Sequence, residues 1–67
     1  MNGWLTPEGE FVECEQFEHD EVAGNRFGMC EERMYLNGYV KIFGSEASHT
    51  RFLTDKQIEF LEEHHIE

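Results

Sequence analysis

The 67-residue chain carries fifteen Asp and Glu against five Lys and Arg, a formal net charge of −10, with 39% hydrophobic residues and six phenylalanines. That aromatic content excludes an acidic disordered tail, and so short a chain has room for one domain, residues 1–67, with one small core. The charge repels nucleic-acid phosphate and anionic membrane, no apolar run approaches the roughly 18 residues of a membrane span, and no signal-peptide pattern precedes Gly3; the expectation is a cytoplasmic protein binding neither nucleic acid nor membrane directly.

Trp4-Leu5 and Phe11-Val12 flank Thr6-Pro7-Glu8-Gly9, a sequence suited to a type I turn: proline presets the second position and glycine takes a left-handed fourth. A β-hairpin follows, with Val12 and Cys14 expected to point inward and Phe11, Glu13 and Glu15 outward. Next, His19, Val22, Ala23, Arg26 and Phe27 recur at helical spacing and predict an amphipathic helix ending near Gly28. The run from Met29 to Gly38 predicts a second short helix, with Cys30 and Met34 on one stripe, Arg33 and Leu36 beside it, and Asn37-Gly38 as its stop. The two stretches also fit one kinked helix.

Tyr39 to Phe43 is dense in β-branched and aromatic residues between two glycines and predicts a strand. Ser45 to Ser48 reads as a loop, and His49 to Leu53 as a returning strand. The last element has a capping box, Thr54 with Gln57 three positions on, and a staple of Leu53 on Ile58. It predicts a helix over 55–65 that buries Ile58, Phe60, Leu61 and His65. Glu62, Glu63 and Glu67 fall at the end where the helix dipole disfavours acids, so either that end frays or the acidic face has a use. The fold class expected is a small single-domain α+β protein: an N-terminal β-hairpin, one or two short helices, central antiparallel strands and a capped C-terminal helix packed on the sheet.

Chemistry is sparse. Cys14 and Cys30 form no CxxC pair, so the expectation is two free thiols, and the four histidines match no zinc-ligand spacing; no metal and no cofactor are expected. A Cys14–His19 nucleophile would have its thiol pKa raised by the surrounding acids, no glycine motif cradles a phosphate, and no catalytic residue is assigned. What stands out is acid. Seven acidic and no basic residues lie between Glu8 and Glu21, and nine acids face only two bases in residues 1–33. Glu13 and Glu15, two positions apart on a strand, lie about 6.6 Å apart, a spacing of the order of neighbouring phosphates, so the row also suits mimicry of DNA towards a DNA-binding protein. Arg26, Arg33 and Arg51, converging in space, would suit a small anionic ligand.

Gly3-Trp4-Leu5-x-Pro7-x-Gly9, then Phe11, His19 and Ala23, then Gly38-Tyr39-Val40-Lys41-Ile42 and Leu53-Thr54-x-x-Gln57 together resemble small uncharacterised proteins of bacteriophages and prophages. Tyr39 stands where that pattern more often has tryptophan. The resemblance implies a phage setting, in the cytoplasm of a bacterial host, and no defined activity. The leading expectation is stoichiometric binding to a host protein with a basic surface, as inhibitor, decoy or anti-defence factor. The face concerned is Glu8, Glu10, Glu13, Glu15, Glu18, Asp20 and Glu21 with Glu59, Glu62 and Glu63. The alternative is a small-ligand or nucleotide-sequestering protein, as a monomer or a homo-oligomer, with Trp4, His19, Arg26, Arg33, Tyr39 and Arg51 lining the site.

Overall fold

The computed structural model describes residues 1–13 and 29–67. The expected helix around His19 to Phe27, together with Cys14, lies outside the described residues. Among the described residues four strands and two helices follow in the order β1 (Asn2–Leu5), β2 (Phe11–Glu13), α1 (Glu31–Leu36), β3 (Val40–Phe43), β4 (Glu46–Ser48) and α2 (Asp55–Glu63). The strands make one antiparallel sheet in the spatial order β2-β1-β3-β4. This is the α+β class expected.

The hairpin forms as its sequence requires. The Gly9 amide donates to the Thr6 carbonyl at 2.9 Å and the Thr6 amide to the Glu10 carbonyl at 2.8 Å, with Gly9 at φ +85°. That is a type I turn closed by a glycine bulge, the geometry that matches the twist of the two strands it joins. It sets Trp4 opposite Val12 and Leu5 opposite Phe11.

Because side chains alternate across a strand, this register sends Trp4 and Leu5 to opposite faces, and both faces are packed. On one, Trp4 and Met34 form a core with Met29, Tyr35 and Tyr39 against it. On the other, Leu5, Val40, Ile42, Leu61 and Ile66 form a second core, flanked by Phe11, Ala47, Leu53 and Phe60. Phe11 therefore does not point outward, as a sheet with one packed face requires, but into the α2 side, its ring stacked 5.8 Å from that of Phe60. Full burial of side chains of this size stabilises by about 1.5–3 kcal/mol each.

Both helices end the same way. After α1, the Tyr39 amide donates to the Met34 carbonyl and the Gly38 amide to the Tyr35 carbonyl, with Gly38 at φ +85°. After α2, Ile66 donates to Leu61 and His65 to Glu62, with His65 at φ +55°. Each is a Schellman motif, in which a left-handed residue turns the chain so that the last carbonyls find donors. His65 is therefore exposed at the turn rather than buried in the helix, and the hydrophobic residue that returns to the core is Ile66.

Three further expectations are corrected. Cys30 precedes α1 as its N-cap, exposed and with a free thiol, and Leu36 at the other end is also exposed; only Met34 of the expected stripe is buried. The fourth strand is Glu46–Ser48, read from sequence as loop, and not His49–Leu53. Gly44, at φ +68°, makes a two-residue turn that places Phe43 opposite Glu46, and His49, at φ +60°, ends the strand. Backbone pairing outweighs weak strand propensity here: the Ala47 amide donates to the Glu67 carbonyl and the Glu67 amide to the Ser45 carbonyl, so β4 bonds on both sides. Third, Ile58 is 40% exposed, because α2 turns Gln57 and Leu61 inward instead.

Candidate functional site

The capping box at Thr54 is present in both directions: the Gln57 amide donates to Thr54 Oγ1 at 3.2 Å and the Thr54 amide to Gln57 Oε1 at 3.0 Å. Gln57 does more than cap. Fully buried, its Nε2 donates to the carbonyls of Gly38 at 2.7 Å and Thr6 at 3.1 Å, while Thr54 Oγ1 donates to the Pro7 carbonyl at 2.8 Å. One amide side chain thus ties together the hairpin turn, the end of α1 and the start of α2. The close contacts agree: a Cβ on Gly38 would sit 3.4 Å from Pro7 Cγ, and one on Gly9 would sit 2.9 Å from Lys56 Cβ. The residues Pro7, Gly9, Gly38, Thr54 and Gln57, prominent as sequence motifs, meet at an architectural joint.

That joint decides where the acids go. With the turn lying on the first turn of α2, Glu8 comes beside Glu59 and Glu63, one helical turn apart, around a cleft of about 210 Å³ also lined by Gly9, Lys56 and Phe60. Glu10, Glu13 and Glu62 are exposed outside this cleft. Glu15, Glu18, Asp20 and Glu21 lie outside the described residues; among the described residues the cleft gathers three carboxylates around one lysine. The floor is held by stacking, with the His64 ring 4.1 Å from that of Phe60 and His64 Nδ1 2.9 Å from the Phe60 carbonyl.

The alternative ligand set is divided. Trp4 is 1% exposed, with its ring centroid 5.5 Å from that of Tyr35, and is closed to any ligand. Tyr39 is half-buried against the same core, Arg33 is exposed on α1, and His19 and Arg26 lie outside the described residues. Arg51 lines a separate pocket with Tyr35, Leu36, Gly38, His49 and Phe52. Lys41 is structural: its Nζ lies 3.1 Å from Glu31 Oε1, which also accepts the Tyr35 hydroxyl at 2.6 Å, so β3 is tied to α1. Among the described residues no group of three His, Cys, Asp or Glu side chains is placed to hold a metal, and no helix is long and apolar enough to cross a membrane.

Compared with protein-family models, with curated proteins and with solved structures, the chain matches none. Its function must be argued from its own geometry. Sequence reasoning placed Glu8, Glu59 and Glu63 in one broad acidic face without singling them out as a cluster; the missing signal was the pairing of Pro7 and Gly9 with Thr54 and Gln57, two turn signatures that dock on each other. It missed Tyr35, His49 and Phe52 altogether. They have no motif, and come together only because the 49–54 loop passes over the end of α1.

Proposed function

We propose that this is a non-catalytic binding protein that engages a basic surface of a protein partner through the cleft of Glu8, Glu59 and Glu63. The observation that carries the reading is the convergence of these three carboxylates, from segments about fifty residues apart in the chain, on one cleft. A lysine or arginine of the partner fits such a cleft, its charge among the carboxylates and its apolar stem along Phe60.

The end of α2 supports the same reading. Glu62 and Glu63 face the negative pole of the helix, with no basic residue in the last turn. A frayed end would make them innocuous, but this end is clamped by the Ile66–Leu61 bond and by Glu67 on β4. Acids kept at a rigid, unfavourable position are accounted for by a use outside the fold. The resemblance to small phage proteins supports a bacterial host protein as the partner, bound stoichiometrically as by an inhibitor or decoy, in the host cytoplasm.

The test is affinity capture from a bacterial lysate at physiological salt, comparing the protein with a Glu8→Lys, Glu59→Lys, Glu63→Lys variant. All three positions are exposed or at a cleft rim, so circular dichroism should be unchanged. The expected result is a stoichiometric partner retained by the protein and lost by the variant. Retention of the same partner by both would overturn the cleft as the site.

A further inference from the structure

The pocket at the end of α1 is unlike the rest of this acidic molecule. Its volume is about 250 Å³ and its lining is Tyr35, Leu36, Gly38, His49, Arg51 and Phe52, with no carboxylate among them. Three aromatic rings and one guanidinium share a space just under the roughly 300–1,000 Å³ of ordinary ligand sites. It suits one ring system, with the remainder of a ligand projecting outward.

The arrangement is built rather than incidental. The His49 ring stacks on Tyr35 at a centroid distance of 3.7 Å and 27° between planes, and this stacking coincides with a left-handed backbone, φ +60°, at a residue with a Cβ. Non-glycine residues in that conformation are strained and concentrate at ligand clamps. Tyr35 is in turn fixed by its hydroxyl bond to Glu31, so the floor is anchored. Of the other lining residues, Phe52 is 82% exposed, and the Arg51 guanidinium lies over its ring at 5.4 Å. Among the described residues no ion pair involves Arg51. An exposed phenylalanine under an arginine free of carboxylates, in a chain of net charge −10, offers a stacking face and a cation to the same ligand.

We infer that this pocket binds a planar aromatic anion: the ring lies between the Tyr35–His49 stack and Phe52, and the anionic group is held by Arg51. The site shares no residue with the acidic cleft, so each stands or falls alone.

Adenosine monophosphate supplies a ring and an anion in one probe, with adenosine and inorganic phosphate as its separate halves. Titration of each into the full ¹⁵N-labelled chain, followed by amide chemical shifts, tests the pocket directly. Saturable shifts are expected at residues 35–38 and 49–52 for the monophosphate, with adenosine and phosphate each weaker. Arg51→Ala should weaken the monophosphate at least threefold without changing adenosine. Phe52→Ala should weaken both ring-bearing probes about fivefold or more. Both side chains are exposed, so neither change removes core packing. The inference is overturned if no probe gives saturable shifts at these residues, if adenosine binds as well as its monophosphate, or if Arg51→Ala leaves the monophosphate affinity unchanged.

Discussion

Gln57 is the residue whose role differs most from its local signature. Within its helix it completes a capping box, worth about 1 kcal/mol in most proteins. Its buried Nε2 also donates to the part-buried Gly38 carbonyl and to the Thr6 carbonyl, which the Gly9 amide shares. Gln57→Leu, similar in volume and apolar, should therefore cost about 2–3 kcal/mol, above a cap, because the capping-box bond and both bonds from Nε2 are lost together. Urea unfolding measures it, and a loss near 1 kcal/mol would return Gln57 to a simple cap. The two left-handed histidines make a second, paired prediction. His65 occupies a position that suits glycine, so His65→Gly should stabilise by about 0.5–1 kcal/mol. His49→Gly relieves the same strain but loses the Tyr35 stack, so its gain should be absent or reversed. Thermal unfolding of the two variants separates strain with a use from strain without one.

Each element draws its stability from a partner. Six-residue α1 and nine-residue α2 are too short to stand alone in water. α1 is held by Met34 in the core and by the Lys41 contact from β3 to Glu31; α2 is held at its start by Thr54 and at its end by Ile66. Thr54→Ala removes the cap acceptor and the bond to the Pro7 carbonyl together, and should cost about 1–2 kcal/mol in urea unfolding. Local patterns announced the hairpin, β3 and the start of α2, since turn glycines, β-branched runs and capping boxes act within a few residues. They did not announce β4. Ser45 to Ser48 has no strand propensity of its own and is extended because β3 and the Glu67 backbone bond to it from either side. Periodicity likewise placed Ile58 inside, whereas the polar demand at the hairpin turned Gln57 there instead.

For the whole molecule the governing quantity is charge. A net −10 on 67 residues opposes compaction, and that repulsion is screened at ordinary ionic strength. The melting temperature should rise as salt is raised from a few millimolar to about 0.15 M, whereas a fall would mean that attractive pairs dominate. Glu63→Lys goes further, relieving repulsion and placing a cation at the negative helix pole. It should stabilise by about 0.3–1 kcal/mol in thermal or urea unfolding while weakening capture of the basic partner. Greater stability with lost binding is the combination expected of a functional acid; stability gained with capture unchanged would leave Glu63 only solubilising.

What the sequence by itself determined are the features written over short distances. These are the α+β class, the Thr6–Gly9 turn, the β3 strand, the Thr54 cap, and a net charge of −10. Each follows from propensity, turn chemistry or summed charge, which depend little on where distant residues lie. Only the tertiary structure decided that both faces of the sheet are packed, that Trp4 is core, that Glu8 joins Glu59 and Glu63, and that His49 and Arg51 meet Tyr35 and Phe52. The grouping of Glu8 with Glu59 and Glu63 depends on one buried amide, Gln57, docking the first turn on the C-terminal helix, and that of Tyr35 with His49, Arg51 and Phe52 on the 49–54 loop crossing the end of α1. Contacts between segments some fifteen to fifty residues apart have no local signal, because their energy appears only once the sheet has brought them together.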